Sequence, residues 1–509
     1  MGCCLAFVLE QGLNDLDEDD VEAMLRFANA VTTLVISQKG ALLCRQIRRM
    51  FMSVRTADNS MDSNYYDVTS WGVGNPHEDI GAVINSIIAD IKDRQKNRDV
   101  RDGGKPGAVI YLPPGDYHMR SQVVIDISYL KIIGSGHGFT SSSIRFNTPE
   151  NELADCHELW PGGSRVLVDI EPKTGEDESK GAAFLIKRNG NPRISSVHFA
   201  NFCIDGLHFV DDGTAMANPE NTYTNRKTGI YVGSPQDSFR ITGMGLVYLE
   251  HGITIYGADA LSIHDNFIAE CGNCIELRDW GQASKITDNL IGAGYKGYSI
   301  YAQNFGGLLI TGNNIFPRGA SCIHFSGVIR STITSNRFHS FYPGMLIFEN
   351  KCADNLVSAN HFYRDHEPWP PMQAYNNGLD DLYGLLNIHG SNNSVIGNHI
   401  SETINAERIT PSGAIPVIIH IVSGDGNYIS NNHIVAIAKA SETSADEVES
   451  CYSLQVGALL GVNRAESLDV ITVLTENEST QNTVLDSGID SQVVMDKNVN
   501  AFRATPTIR

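Results

Sequence analysis

The sequence predicts an all-β solenoid, a parallel β-helix with a capping helix at its N-terminal end, and three observations predict it. The first is a phrase that recurs seven times: a β-branched or apolar residue, two small or polar residues, Asn, any residue, then Ile or Phe. It reads Ile263-His-Asp-Asn266-Phe-Ile268, Ile286-Thr-Asp-Asn289-Leu-Ile291, Ile310-Thr-Gly-Asn313-Asn-Ile315, Ile333-Thr-Ser-Asn336-Arg-Phe338 and Val357-Ser-Ala-Asn360-His-Phe362, and it returns at 395–400 and 429–434. The first five Asn lie 23 or 24 residues apart. A fixed period of this length marks stacked units, none of which buries its apolar face alone. The second observation is composition within the repeat. Ile, Val and Thr alternate, with Gly, Asn and Asp at the breaks, which is strand-turn-strand punctuation and not helical spacing. A leucine-rich repeat lacks its Leu framework here. The third is the entry to the solenoid. Apolar Ile84, Ile87, Ile88 and Ile91 mark an amphipathic helix, followed by strands at 108–112 and up to 132. An open coil end exposes core and unpaired strand edge, so a cap is physically required.

Each element follows from that frame. Coils stack at about 4.8 Å, so equivalent residues lie above one another. Asn at the same turn of every coil tolerates the left-handed conformation and can bond the backbone of the next coil, forming a structural ladder. The β-helix is expected over residues 62–435. Residues 436–509 are expected to add an acidic loop, including 443–449, and closing strands of the same domain. Residues 1–51 look foreign to the rest. The run 27–41 resembles the C-terminal end of ribokinase-type sugar kinases, and Met50, Met52 and Met61 are alternative starts.

Composition bounds the function. The net charge of −21 argues against nucleic acid, whose phosphates demand clustered Lys and Arg, while neutral sugars are compatible with it. No run of 18 apolar residues is present, so no membrane span is expected. Ten Cys show no pairing pattern, which suits a reducing cytoplasm. Cys271-Gly-Asn-Cys274 is a lone CxxC, read as buried strand-edge thiols and not as zinc ligands. His361, His399 and His433, each following a ladder Asn, are read as turn residues and not as metal ligands.

Two acidic residues stand out in 257–277. In Cys274-Ile275-Glu276-Leu277, alternation sends Ile275 and Leu277 inward, so Glu276 points out. Asp265 sits beside ladder Asn266 at the corner of the same coil. The pair is expected on adjoining walls of one turn, within reach of a single sugar linkage. Glycosidic chemistry uses such a pair, one group protonating the leaving oxygen and the other activating the nucleophile or supporting the oxocarbenium-like centre.

The same segment, with Phe239-Arg-Ile-Thr-Gly-Met-Gly-Leu-Val-Tyr-Leu-Glu-His251 before it, resembles the inulin fructotransferases of glycoside hydrolase family 91. So do Gly312-Asn-Asn-Ile-Phe-Pro-Arg-Gly319, Phe341-Tyr-Pro-Gly-Met345, Asn377-Gly-Leu-Asp-Asp-Leu-Tyr-Gly384 and Val484-Leu-Asp-Ser-Gly488. The similarity runs from about residue 66 to the C-terminus, broken by extra residues near 171–182 and 440–475. The resemblance implies a right-handed β-helix, a homotrimer with sites near subunit boundaries, and a catalytic Asp and Glu at positions matching Asp265 and Glu276. It implies fructosyl transfer with no metal or organic cofactor. Either a hydroxyl of the terminal fructose attacks the next anomeric carbon of inulin and releases a difructose dianhydride, or water opens that dianhydride to inulobiose.

Within the matching phrases, Arg318, Asp380 and Asp381 are candidates for binding fructose hydroxyls. Trp280, Tyr342, Trp369 and Tyr375 are candidates for stacking on furanose faces or lining a trimer contact. An inulin-cleaving enzyme should meet its polymer outside the cell, and no leader is evident from any plausible start. The favoured expectation is therefore a cytoplasmic difructose dianhydride hydrolase acting on type III, with inulin fructotransferase as the alternative. A polygalacturonase or pectate lyase needs an Asp cluster or a calcium site with Arg or Lys that cannot be assembled here. An adhesin or tail fibre would carry no Asp-Glu constellation.

Overall fold

The computed structural model describes residues 64–96, 106–138, 162–188, 193–207, 225–233, 235–293, 297–316, 321–340, 343–365, 384–405, 417–439, 471–475, 479, 481–486, 492–494 and 500–503. The expectation for residues 1–51 and the acidic loop at 443–449 lie outside these residues. The chain winds as a right-handed parallel β-helix whose coils form three walls, sheets of 14, 11 and 15 strands among the described residues. In chain order each coil lays a short strand on the first wall, turns, lays one on the second, turns again, and lays a longer one on the third. The coil containing both candidate acids shows this: Ser262–His264, Phe267–Cys271, then Asn273–Gln282.

Register explains why the repeat phrase is apolar where it is. On the first wall Ile263, Ile286, Ile310, Ile333, Val357, Val395, Ile429 and Val484 pair in succession. On the second, Ile268, Ile291, Ile315, Phe338, Phe362 and Ile400 do the same. All point into one continuous core, and fully burying each such side chain is worth about 1.5–3 kcal/mol. Phe338 stacks on Phe362 at 4.6 Å between centroids and 13° between planes, close to the coil repeat itself.

The ladder predicted from the phrase is present. Asn266, Asn289, Asn313, Asn336, Asn360, Asn398 and Asn432 are buried, and each of the first six donates through backbone N and side-chain Nδ2 to the Oδ1 of the next at 2.9–3.0 Å. The residue before the Asn turns the corner in the left-handed region: Asp265, Asp288, Gly312, Ser335, Ala359, Gly397 and Asn431 all have φ between 54° and 70°. A second ladder, not anticipated from the sequence, occupies the corner from the third wall to the first. There Asn355, Asn393, Asn427 and Asn482 repeat the pattern, and Ser331 feeds into it.

The cap is also present. The helix Ile80–Lys96 buries Ile80, Ile84, Ile87, Ile88 and Ile91 over the first coils. Asp79 precedes it as N-cap, its Oδ1 accepting from Gly81 N and Ala82 N, and both oxygens accept from Ser121. One carboxylate thus joins helix to solenoid. No helix among the described residues is long and apolar enough to cross a membrane.

Candidate active site

Strand alternation positions Glu276 as anticipated: Ile275 and Leu277 lie in the core and Glu276 on the outer face of the third wall. Its register neighbours are Thr254 in the coil below and Tyr301 in the coil above. Yet this outward residue is only 3 % exposed. A carboxylate so buried needs partners, and it has four. Oε2 accepts from His251 Nδ1 at 2.6 Å and Thr254 Oγ1 at 3.2 Å. Oε1 accepts from Arg278 Nη2 at 2.6 Å and Asn273 Nδ2 at 3.2 Å.

A short 3-10 turn, Glu178–Gly181, lies over this network. Gln122 Nε2 anchors it by donating to Ser179 O and Ala182 O. Glu178 Oε2 accepts from Arg278 Nη1 at 2.9 Å, and its Oε1 lies 3.4 Å from His251 Nε2. Glu250 Oε1 stands 3.8 Å from the same nitrogen. Arg278 also donates to Tyr256 Oη at 2.9 Å, with its guanidinium 5.8 Å from that ring's centre.

Electrostatics follow from these contacts. Burial pushes the Glu276 carboxyl up, but the hydrogen bond and charge of His251 and the Arg278 guanidinium outweigh it and hold the group below its ordinary value. Burial pushes His251 down, but Glu276, Glu178 and Glu250 reverse the sign and raise it above the ordinary imidazole value. Glu276 is therefore a carboxylate beside an imidazole that favours its proton. Ligand atoms of Glu178, His251 and Glu276 lie within 4.8 Å of one another, a spacing that can hold a metal ion. In this cluster the counter-charge comes instead from Arg278, bonded to both carboxylates, and from the imidazole.

Asp265 lies at the coil corner beside ladder Asn266, where the repeat puts it. It is exposed at the corner between first and second walls, with φ 61°. Its charge reaches His137, partly offsetting the burial that pushes that imidazole down, and His137 stacks on Phe267. Between Asp265 and Glu276 lies the strand Phe267–Cys271, the whole of the second wall in this coil. Five residues at about 3.3 Å each span roughly 16 Å, whereas paired glycosidic carboxylates work at about 5–10 Å. Eleven residues here cross a wall and do not merely turn a corner, so one protomer does not bring the two acids together.

Trp280 is half-buried with the Arg193 guanidinium 5.4 Å from its ring centre, so a protein cation already occupies one face. Arg318, Tyr342, Trp369, Tyr375, Asp380 and Asp381 lie outside the described residues. Cys271 and Cys274 are buried thiols directed at backbone carbonyls, and burial pushes Cys274 well up, as the reading of them as core residues requires. His361, His399 and His433 open successive second-wall strands instead of lying in turns, and meet edge to face, with His399 Nδ1 and His433 Nδ1 sharing a 2.9 Å hydrogen bond. Sequence reasoning missed His251, Arg278 and Glu178. Arg278 was within reach, being two residues from Glu276 on an alternating strand. His251 required the inter-coil register, and Glu178, 100 residues from Arg278, left no local signal.

Fold and cluster together define a parallel β-helix enzyme with its ionisable groups on an outer wall. Residues 359–506 match the family described as the beta helix repeat of inulin fructotransferase, and residues 172–368 match that of the periplasmic copper-binding protein NosD. An inulin fructotransferase [DFA-I-forming] of Arthrobacter globiformis is 44 % identical over 386 residues, 75 % of this chain and 91 % of that protein. The DFA-IIIase of Arthrobacter chlorophenolicus A6 in complex with GF2 is 64 % identical, covering 88 % of this chain and 100 % of that one, with a TM-score of 0.79. The same enzyme in complex with DFA-III gives 64 % identity, 88 % and 99 % coverage, and a TM-score of 0.80. The chain belongs to the inulin fructotransferase family.

Proposed function

We propose that this enzyme acts on fructosyl linkages and hydrolyses difructose dianhydride III to inulobiose, with Glu276 at the centre of the proton transfers. The observation that carries the direction is the likeness to the DFA-IIIase, 64 % identity over that whole chain against 44 % for the fructotransferase. That second relative supports the alternative, inulin fructotransferase releasing a dianhydride from inulin by intramolecular attack. Either reaction needs a proton delivered to a leaving sugar oxygen and one removed from a hydroxyl or water, and a water-poor site strengthens both transfers. Substrate rings would meet the outer face of the third wall beside Glu276. The functional unit in this reading is a homotrimer in which the exposed Asp265 of one protomer completes the neighbour's Glu276 site, since roughly 16 Å along one protomer's second wall is too far. Among the described residues all five cysteines are free and buried, which supports a reducing cytoplasm as the place of action.

Incubating the protein separately with inulin and with difructose dianhydride III, and identifying products, tests the reading. Inulobiose from the dianhydride is expected; rapid dianhydride release from inulin would select the alternative. Co-expressed D265N and E276Q chains should recover activity that neither variant has alone. Failure of this complementation would defeat the shared site.

A further inference from the structure

We propose that His251 is the proton source of Glu276, and that Glu178 is a positioning residue which, together with Glu250, holds that imidazole in line. The proposal rests on the reading of Glu276 as the acid-base centre and gives its proton an origin. Four donors occupy Glu276, so a proton for the leaving oxygen is not stored on its carboxyl. The two shortest of these contacts, both 2.6 Å, are to Arg278, which does not release protons, and to His251, which does.

Every element packed around His251 brings a charged or titratable group. The 3-10 turn brings Glu178, and the corner before His251–Asp259 brings Glu250. The strand Asn273–Gln282 brings Glu276 and Arg278. Arg278 itself contacts Glu276 and Glu178. Lys227, whose carbonyl accepts the His251 amide, directs its ammonium away to Val168 O and Gly206 O. Tyr298 and Tyr301, in the coil above, also sense the Glu276 charge. Three carboxylates thus face the imidazole against one guanidinium.

The step balances. The glycosidic C–O bond breaks and its electron pair stays on the leaving oxygen, which takes the proton that His251 Nδ1 passes through the Glu276 carboxylate. The carboxylate is ionised before and after the step, and the ring becomes neutral. The attacking water forms the new C–O bond and gives its proton to the second carboxylate, from which it returns to solvent. Nε2, between Glu178 and Glu250, is the nitrogen through which solvent recharges the ring. Glu178 reaches the acid-base pair from the 3-10 turn, 100 residues from Arg278 in sequence, so a long-range cover tunes it.

The test uses the whole protein labelled at histidine, with H251N identifying the resonance. The His251 titration should move to lower pH in E178Q and, independently, in E250Q. The alkaline limb of the kcat profile should move the same way with KM little changed. H251A should lose about 10²-fold or more in kcat and regain part of it with added imidazole, which a merely structural role would not allow. A stationary titration in both Glu variants, or no rescue with H251A folded, would overturn the proposal. Because the titration needs no substrate, it tests the relay even if neither sugar is turned over.

Discussion

Two sets of polar groups, the asparagine ladders at the corners and the Glu276 cluster on the third wall, each hold buried polar atoms but satisfy them in opposite ways. Asn313 finds its partner in Asn336, and Asn336 in Asn360, the same amide one coil on at 3.0 Å each time. Glu276 finds four different partners, and its cover comes from a turn in another part of the chain. A self-similar solution can be extended to any number of coils and carries no chemistry. The Glu276 solution is made of unlike groups, mixing carboxylate, imidazole and guanidinium. In this molecule repetition marks scaffold, and the proposed site lies where unlike groups replace it.

Breaking the two regions should give opposite phenotypes. The largest effect expected is on activity in E276Q, a loss of about 10²–10⁴-fold with the β-helix retained by circular dichroism. Near-normal turnover would remove Glu276 from the chemistry. In the ladder, Asn336→Ala strips partners from Asn313 N and Ile310 O, while Asn313 Nδ2 keeps Ile286 O and Thr311 O. Each buried orphan costs about 1–3 kcal/mol, so chemical denaturation should show a loss of several kcal/mol while the folded fraction keeps its kcat. An equal loss of kcat would erase the distinction between scaffold and site.

The pH dependence of stability sharpens the comparison. Glu276 is held below its ordinary value of 4.5, so its contribution is complete above that pH and is lost as pH falls through the lowered folded value. His251 is raised above 6.5, so its contribution is complete below that pH and is lost as pH rises through the raised folded value. The Tm difference between the protein and E276Q should therefore peak between pH 4.5 and 6.5, whereas the deficit of N336A should stay flat there. The smallest effect is expected at Trp280, where W280L removes the Arg193 contact, worth about 0.5–1 kcal/mol at a partly exposed site. Its KM should stay within a few-fold; a tenfold rise would reinstate the indole as a sugar platform.

What the sequence made legible follows the same division. The Ile263-to-Ile429 column, the Asn266 ladder and the Ile84/Ile87/Ile88/Ile91 face could be read directly, because period and burial repeat. The second ladder, from Asn355 to Asn482, escaped because its three intervals of 38, 34 and 55 residues all carry insertions and none repeats. Glu276 was legible through alternation between Ile275 and Leu277. Its distance from Asp265 was not, because spacing alone does not say that the intervening strand fills an entire wall. His251 and Glu178 meet Glu276 only through coil register and a long-range cover, neither of which leaves a local pattern.

The most direct test is a crystal structure of E276Q soaked with difructose dianhydride III. A sugar oxygen within hydrogen-bond distance of residue 276, under the Glu178 turn and facing an Asp265 carboxylate from a second protomer, is the predicted result. A dianhydride bound on another wall, with the His251 cluster closed and untouched, would contradict it.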